Sequence, residues 1–252
     1  MTSSGLRWSL AEQNSAQFTY LESASSTNSW LKDRAEVSPY DLVLTMKQEK
    51  GRGRLNRQWL NFPGEGLAFS FVAPSHGRSD LSDGIASRLP LLVGASVVRA
   101  VHSLGITGAV MKWPNDILVG GKKLGGILCE VRRDGLVIAG VGINVEFAGK
   151  LPAVNAVPLG KFLQEPSAAL DGLVSETIIN FKSIFGASVG DQIEFIMSFL
   201  STLGKVVKID KGRGKILQGV ASAIGQDGSL ILNLENGKKE NIVFGDVIHL
   251  RQ

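Results

Sequence analysis

Short apolar segments joined by tight turns constrain the fold of the middle of this chain. The predicted strands there are Val110 to Trp113, Asp116 to Val119, Leu124 to Val131 and Leu136 to Val145. Gly120-Gly121 and Arg132-Arg133-Asp134-Gly135 are turn sequences typical of hairpins. Parallel neighbours would need crossover connections of about a dozen residues. The pattern therefore predicts an antiparallel sheet rather than βαβ units.

Helices and further strands surround this segment. Apolar runs predict strands over Phe18 to Leu21, Asp41 to Met46 and Leu67 to Val72. Capping residues and apolar patterning predict helices from a Ser25–Asn28 cap to about Arg34, over Ile85 to Leu104, over about Pro166 to Ile184 and over Asp191 to Leu203. Phe147 to Pro158 is predicted to be a loop. The chain thus belongs to the α+β class, with a mixed, mostly antiparallel sheet packed with helices.

The character of the sequence changes at Gly204. Strands are predicted over Val206 to Ile209, Gly219 to Ile224, Leu230 to Leu234 and Asn241 to Leu250. The turns between them contain Gly212-Arg213-Gly214, Gln226-Asp227-Gly228 and Glu235-Asn236-Gly237. This spacing predicts a small β-barrel, so we expect one domain over residues 1–203 and a second over residues 204–252.

Composition excludes several classes of protein. The chain has 252 residues, a formal net charge of +4 and one cysteine, which excludes a disulfide framework and a cysteine-rich metal site. Leu89 to Val98, the longest apolar run, is too short to span a bilayer, and the N-terminus carries no secretory signal. We expect a cytoplasmic protein with no membrane partner.

A cationic, glycine-containing stretch is the first candidate site. Gly51-Arg52-Gly53-Arg54 is followed by Arg57 and Trp59. Glycine permits close approach of the backbone to a ligand, arginine offers a fork of donors to carboxylate or phosphate, and tryptophan offers a flat face for a base. The composition suits a loop that closes over a nucleotide, and it equally suits a basic surface turn.

Three further motifs lie at predicted strand ends. Lys112-Trp113-Pro114-Asn115-Asp116 suits a magnesium–nucleotide site, because hard cations prefer oxygen ligands and phosphates attract lysine; a capped turn would have the same composition. Lys122-Lys123-Leu124-Gly125-Gly126 and Gly140-Val141-Gly142-Ile143-Asn144 place glycines inside strands. Such glycines often mark close approach by a ligand.

Taken in order, these motifs resemble those of the biotin–protein ligases (biotin–[acetyl-CoA-carboxylase] ligases). The matching residues are Ser26-Thr27-Asn28, Gln48-x-x-Gly51-Arg52-Gly53-Arg54-x-x-Arg57-x-Trp59, Lys112 to Asp116, Lys123-Leu124-Gly125-Gly126-Ile127-Leu128-x-Glu130 and Gly140-x-Gly142-Ile143-Asn144. The resemblance covers nearly the whole chain. It implies a catalytic domain of the class II synthetase/biotin ligase type and a C-terminal SH3-like β-barrel.

The resemblance also implies a reaction. Biotin and ATP, with Mg²⁺, would give biotinyl-5′-AMP, and a lysine of a biotin carboxyl carrier protein would then accept the biotinyl group. Bifunctional members carry a DNA-binding domain ahead of the catalytic domain; because the first motif begins at Ser26, we expect the monofunctional type with no specific DNA partner. Pairing of sheet edges would permit a homodimer, which the sequence leaves open.

Site residues follow from the same resemblance. The implied catalytic residues are Lys123, Arg54, Arg52 and Asp116, with Asp116 also the candidate Mg²⁺ ligand. The implied biotin site consists of Ser26, Thr27, Asn28, Gln48, Gly51, Arg52, Arg54, Lys123, Gly126, Gly140 and Gly142. The implied nucleotide site consists of Arg54, Arg57, Trp59, Lys112, Asn115, Asp116 and Asn144. Family members often have Arg-Gly where this chain has Leu55-Asn56, so we expect slower loop closure or weaker retention of the adenylate.

Three other functions agree less well with the sequence. Lipoate–protein ligases and octanoyltransferases share the catalytic fold, but their Arg-Arg-x-x-Gly-Gly-Gly-type motif is absent. A nucleic-acid-binding protein would need stacking aromatics on its β-barrel, and Phe244 is the only aromatic residue after Lys205. A non-catalytic, biotin-sensing homologue is less attractive because Lys123 and Arg54 are intact.

Overall fold

The computed structural model describes residues 6–59, 65–74, 85–147, 155–210 and 216–249. The helices are α1 (Ser9–Asn14), α2 (Thr27–Lys32), α3 (Ile85–Ser103), α4 (Leu170–Phe185) and α5 (Val189–Phe199). The strands are β1 (Phe18–Leu21), β2 (Leu42–Thr45), β3 (Gly51–Arg52), β4 (Gln58–Trp59), β5 (Gly66–Ala73), β6 (Ala109–Lys112), β7 (Asp116–Val119), β8 (Lys122–Val131), β9 (Val137–Asn144), β10 (Val206–Asp210), β11 (Ile216–Ile224), β12 (Leu230–Leu234), β13 (Lys239–Ile242) and β14 (Asp246–His249).

Seven strands form the main sheet, in the order β1-β2-β5-β9-β8-β7-β6. Only β1 and β2 run parallel, and every other neighbouring pair in this sheet is antiparallel. The predicted mixed, mostly antiparallel sheet is therefore confirmed. The short turns predicted between β7, β8 and β9 join neighbouring strands, as the local turn chemistry requires.

Helices cover both faces of the main sheet. Helix α3 packs against β6 to β9, with α4 and α5 behind it, and buries the larger apolar core. Helix α2 packs on the opposite face, where Leu31 meets Val43, Val72 and Ile138 in a second, smaller core. Since side chains alternate along a strand, the strands β2, β5 and β9 contribute to both cores.

Small residues on the α2 face leave room beside the sheet. In β9, Val141 belongs to the α3 core, whereas Gly140 and Gly142 alternate with it and face the other side. Gly126 pairs with Gly142, and Ser70 pairs with Gly140. Asn28 and the indole of Trp59 occupy part of the space that large side chains would fill, over Gly140 and Gly142, and the rest belongs to a cavity.

The C-terminal strands form a separate five-stranded antiparallel sheet in the order β13-β12-β11-β10-β14, here called the C-terminal sheet. The single strand predicted over Asn241 to Leu250 is wrong: it is divided into β13 and β14. Gly245 between them has a φ of +149°, which glycine alone adopts readily, and the chain bends there. The start of a second domain at residue 204 stays a prediction.

Trp113 and Arg88 are among the side chains that join the C-terminal sheet to the rest of the protein. The indole N–H of Trp113 donates to the carbonyl of Gly228 at 3.1 Å, across the buried interface. Arg88 of α3, only 4% exposed, donates to Gln192 of α5 at 2.9 Å and to the carbonyl of Gln226. These contacts hold the turn between β11 and β12 against α3 and the end of β6.

Other predictions differ from the structure near the chain ends and in loops. Helix α1 was not predicted; its first turn is held by the carboxylate of Asp171, which accepts from the N–H groups of Leu10 and Ala11 at 3.0 and 2.8 Å. Residues 148–154 of the predicted loop and the Gly212-Arg213-Gly214 turn lie outside the described residues.

Among the described residues, no helix is both long and apolar enough to traverse a membrane.

Candidate functional site

One cavity of about 490 Å³ lies over the open face of the main sheet, between α2, the β3–β4 hairpin and the C-terminal sheet. It brings together residues from every motif identified in the sequence. The predicted site residues that line it are Ser26, Thr27, Asn28, Gln48, Arg52, Arg54, Arg57, Trp59, Lys112, Asn115, Asp116, Lys123, Gly126, Gly140 and Gly142. Of the predicted set, Gly51 and Asn144 lie outside it.

Buried, uncharged polar side chains line the inner end of the cavity. Ser26 is the N-cap of α2, and its hydroxyl accepts a hydrogen bond from the N–H of Ser29. The side-chain carbonyl of Gln48 accepts from the N–H and the hydroxyl of Thr27 at 2.9 and 3.2 Å. Each of these cavity side chains is at most 9% exposed. Fixed donors and acceptors of this kind suit a neutral polar head group.

A buried serine that belongs to no predicted motif lies behind the inner end and contacts two of its side chains. Ser70 of β5 lies 2.6 Å from Oδ1 of Asn28 and 2.7 Å from the hydroxyl of Thr27. The Asn28 amide nitrogen donates to the carbonyl of Leu128 at 3.1 Å and to Glu130 at 2.8 Å. Because the nitrogen is turned to these acceptors, Oδ1 faces Ser70 and accepts from its hydroxyl. The network thus fixes the orientation of the Asn28 amide, with its oxygen toward Ser70 and its nitrogen toward Leu128 and Glu130.

Lys123 lies at the opposite, cationic end. The register between β7 and β8 shifts at Leu124 and leaves one extra residue in β8, a bulge of the kind that re-aims a neighbouring side chain. The Lys123 ammonium forms an ion pair with Asp116. The Lys123 carbonyl accepts from the N–H of Val157 at 2.9 Å and from the side-chain amide of Asn144 at 3.0 Å. Asn144 thus holds the Lys123 backbone, and its role toward a nucleotide stays a prediction.

The residues around the cis Trp113–Pro114 bond line the cationic end. Burial lowers the pKa of Lys112, an effect that Asp116 opposes and Lys123 adds to. The Asn115 side chain donates to the carbonyl of Ile127 at 3.0 Å, which holds it against β8. Two lysines and one carboxylate therefore share a small, partly buried volume, and a further anion would lower the repulsion between the lysines.

The arginine-rich stretch forms a short hairpin, since Gly51 pairs with Trp59 and Arg52 with Gln58. A Cβ on Gly51 would lie 2.5 Å from the carbonyl of Trp59 and 2.8 Å from Nε2 of Gln48, so only glycine fits there. Leu55 at the tip has a φ of +55° and is 72% exposed. The hairpin is thus packed at its base and exposed at its tip.

Two arginines of the hairpin contact the C-terminal sheet. Arg54 donates to Asn115 Oδ1 at 3.5 Å and to the carbonyl of Gly245 at 3.3 Å, and lies 3.8 Å from Asp246. Arg57 forms an ion pair with the same Asp246 carboxylate. Burial lowers the pKa of Arg54, and the nearby Asp246 and Asp116 carboxylates oppose that effect.

The C-terminal sheet supplies a wall that the sequence did not reveal. Asp210, Asp246, Val247 and Ile248 line the cavity, although no predicted site residue lies beyond Asn144. The only available signal was the excess of arginine in the hairpin, which implies carboxylate partners without naming them. Their position depends on how the two sheets pack, which local patterns do not encode.

Trp59 covers the glycines of the main sheet. A Cβ on Gly142 would lie 2.5 Å from its indole ring, and one on Gly126 would lie 3.4 Å from it. The Lys123 ammonium is 5.5 Å from the centre of the ring, within range of a cation–π interaction. In this structure the indole therefore lies between the polar inner end and the cationic end of the cavity.

Comparison with known proteins places this arrangement in a family. Residues 20–147, about half of the chain, match the biotin/lipoate A/B protein ligase family. The chain belongs to this family. A second match, to the biotin protein ligase C terminal domain, covers residues 202–250 of the ligase-family chain.

This ligase-family chain matches a small part of some relatives and nearly the whole length of others. It is 39% identical over 108 residues to the bifunctional ligase/repressor BirA of Bacillus subtilis, which is 41% of this chain and 32% of that protein. It is 29% identical over 257 residues to the biotin--[acetyl-CoA-carboxylase] ligase of Mycobacterium tuberculosis, 93% of this chain and 90% of that protein. Among solved structures, biotin protein ligase from Aquifex aeolicus in complex with biotin and ATP matches with a TM-score of 0.77 and 28% identity, covering 94% of this chain and 100% of that chain.

A methyl group on Gly142 is expected to displace Trp59 in this ligase-family protein. The clash with the indole should cost about 1–3 kcal/mol unless the ring moves. We expect Gly142→Ala to change the intrinsic tryptophan fluorescence and to weaken ligand binding in the cavity by about 10-fold. Gly108→Ala is the matched control, because a Cβ there would meet nothing within 4 Å. Unchanged fluorescence in Gly142→Ala would contradict the position of Trp59.

His249 of β14 should make stability depend on pH. Burial, together with Lys205 and Lys112, lowers the pKa of this imidazole to about 4, while the unfolded chain takes up the proton near its ordinary value of about 6.5. The stability contributed by neutral His249 is therefore fully present above about pH 6.5 and is lost as the pH falls toward 4. Urea denaturation of wild type and His249→Asn across this range should show a flatter pH dependence in the variant.

Proposed function

We propose that this protein is an ATP-dependent biotin ligase. It activates biotin as biotinyl-5′-AMP and then transfers the biotinyl group to a lysine of a biotin carrier domain, such as that of acetyl-CoA carboxylase. The single observation that carries the proposal is the cavity itself, which joins a buried neutral polar end to a cationic end within about 490 Å³. Biotin has the matching form, with a neutral ureido head group and a carboxylate tail.

The comparisons support the same substrates. The Mycobacterium tuberculosis relative is a biotin--[acetyl-CoA-carboxylase] ligase, and the Aquifex aeolicus protein was solved with biotin and ATP. The chain spans about a third of the length of the Bacillus relatives it matches. The family includes lipoate ligases as well as biotin ligases. The choice between these two activities therefore depends on the chemistry of the cavity and on the match to the biotin protein ligase C terminal domain.

In the first step, a biotin carboxylate oxygen attacks the α-phosphorus of ATP, and pyrophosphate leaves. Two anions must meet, so the main task of the protein is to neutralise their charge and to hold them in line. Lys123 and Arg54 both line the cavity and supply positive charge where the two anions would meet. Lys112 and Asn115 serve the phosphate and nucleotide side, while Ser26, Thr27, Asn28 and Gln48 hold the head group.

In the second step, the neutral amine of the carrier lysine attacks the carbonyl carbon of the mixed anhydride, and AMP leaves with the bonding electrons. The amine proton passes to the departing phosphate or to solvent. No nucleophile from the protein is required, which agrees with the absence of a paired Ser or Cys and base among the described cavity residues. The β3–β4 hairpin limits access of water to the anhydride between the two steps.

The residues of the cationic end fit Mg²⁺ as part of a metal–nucleotide complex. Within the described ranges, no three His, Cys, Asp or Glu side chains are grouped so that they could hold a metal ion. Mg²⁺ commonly uses one or two carboxylates together with phosphate oxygens and water, and Asp116 offers one carboxylate beside the phosphate-binding lysines. Bound there, the ion would neutralise charge on the phosphates.

A lipoate ligase is the second candidate, because the matched family covers both activities. Two observations favour biotin over lipoate. The inner end of the cavity is lined by hydrogen-bonding groups, which suit a ureido ring better than the apolar dithiolane ring of lipoate. The C-terminal match is to the biotin protein ligase domain.

The decisive experiment incubates the protein with Mg-ATP, a biotin carrier domain and either biotin or lipoate. We expect addition of one biotinyl group to a single carrier lysine and no addition of lipoyl. Pyrophosphate release is measured in parallel without the carrier, to separate activation from transfer. Lipoyl addition would favour the second candidate, and biotin binding with no pyrophosphate release would instead indicate a biotin-sensing protein.

A further inference from the structure

Glu130 of β8 lies at the centre of a hydrogen-bond cluster beside the cavity. Its carboxylate accepts from the amide of Asn28 at 2.8 Å, from the ammonium of Lys32 at 3.0 Å and from the guanidinium of Arg52 at 3.1 Å. Arg52 also donates to the hydroxyl of Ser29 at 2.9 Å. One carboxylate therefore connects the main sheet, helix α2 and the base of the β3–β4 hairpin.

The chemistry of the cluster requires an ionised carboxylate. Burial by itself would raise the pKa of Glu130, but the hydrogen bonds from Asn28, Lys32 and Arg52 outweigh that effect and lower it. A carboxylate accepts on both oxygens and donates from neither. It is thus able to satisfy three donors at once, which a neutral amide in the same place could not do.

The two ends of the hairpin are held differently. Arg52 at the base is tied to Glu130 and Ser29, on the main sheet and α2. Arg54 and Arg57, nearer the tip, are tied instead to Gly245 and Asp246 on the C-terminal sheet. A ligand that drew Arg54 and Arg57 away from Asp246 would leave the anchor of Arg52 unchanged.

We propose that Glu130 is a positioning residue for the ligase reaction. Its carboxylate holds Arg52, and with it the base of the hairpin, beside the head-group end of the cavity. The effect of Glu130 on biotin is exerted through Arg52 and Asn28. This inference rests on the proposed function for its kinetic part, but the anchoring of the hairpin is independent of any activity.

The anchoring is tested first, on the protein without substrates. Trypsin cleaves after arginine, so the rate of cleavage after Arg54 reports how often the hairpin opens. In Glu130→Gln we expect this rate to rise about 10-fold, since a hydrogen bond to a charged group is lost. Lys32→Met is the matched control: it removes another partner of the same carboxylate, lies outside the cavity and should leave cleavage near the wild-type rate.

Global destabilisation would also accelerate proteolysis, so the urea midpoint of each variant is measured alongside. The proposal requires faster cleavage after Arg54 at a midpoint close to that of the wild type. An unchanged cleavage rate in Glu130→Gln, or equal acceleration in Lys32→Met, would overturn it.

A kinetic experiment then tests whether Glu130 acts through Arg52. We expect Glu130→Gln to raise the KM for biotin about 10-fold in the pyrophosphate-release assay, with little change in kcat. Combined with Arg52→Gln it should add less than it does in the wild-type background, because residues that act as a unit are not additive, and the part that remains is exerted through Asn28. Fully additive effects would refute the assignment. If the wild type releases no pyrophosphate with biotin, the proposed function fails, and the cleavage experiment still decides the anchoring.

Discussion

Replacing Lys123 with alanine is expected to lower the rate of adenylate formation by about 10²- to 10³-fold, the usual effect of removing one charge-stabilising donor from a reacting centre. Lys123 lies beside the β8 bulge, and its ammonium pairs with Asp116 at the cationic end of the cavity. Without its ammonium, the biotin carboxylate and the α-phosphate would meet with one positive charge fewer. The measurement is pyrophosphate release with biotin and Mg-ATP.

The neighbouring lysine provides the matched control for this experiment. Lys122 is exposed and does not line the cavity, so Lys122→Ala should retain wild-type activity. The backbone bonds of Lys123 to Asn155 and Val157 do not involve its side chain, and Lys123→Ala should therefore fold normally by circular dichroism. Wild-type pyrophosphate release in Lys123→Ala would refute the role assigned to it.

Replacing Arg54 with glycine is expected to release biotinyl-AMP before transfer. The Arg54 guanidinium bridges Asn115 on the main sheet side and Gly245 on the C-terminal sheet, so its loss opens the hairpin over the anhydride. We expect adenylate dissociation to be about 10- to 100-fold faster, corresponding to the loss of one or two hydrogen bonds to a charged group. Escaped adenylate acylates lysines indiscriminately, and mass spectrometry of an added bystander protein would detect it.

Arg54→Lys separates charge from geometry in this experiment. Lysine keeps the positive charge but lacks the planar fork that contacts two acceptors at once, so leakage between that of wild type and Arg54→Gly is expected. Labelling that stays confined to the carrier domain in Arg54→Gly would rule out a role in retention.

Much of the fold could be predicted because its signals are local. The turns at Gly120-Gly121 and Gly135 defined the strands β7 to β9, and the Ser26 cap defined the start of α2. The elements that the sequence did not predict depend on contacts between residues that are far apart along the chain. Helix α1 is short and is held by Asp171, and the break before β14 depends on how Gly245 packs against Ile209.

The candidate site could be predicted only where a motif marked it. Residues from Ser26 to Gly142 converge on one cavity because the order of the strands brings their motifs to one face of the main sheet. Ser70 and Asp246 were missed since neither stands in a distinctive local pattern. Glu130 stood inside a motif, but its importance became visible only once Arg52, Lys32 and Asn28 were found around it.

The hairpin contacts both sheets, so ligand binding is linked to the stability of the interface between the sheets. Arg52 is bound to the main sheet while Arg54 and Arg57 are bound to the C-terminal sheet, so a ligand that changes either set of contacts changes how firmly the two sheets are joined. Coupling of this kind is reciprocal. A substitution far from the cavity that loosens the sheet interface, such as one at Arg88, should therefore weaken substrate binding, and saturating substrate should in turn tighten the interface.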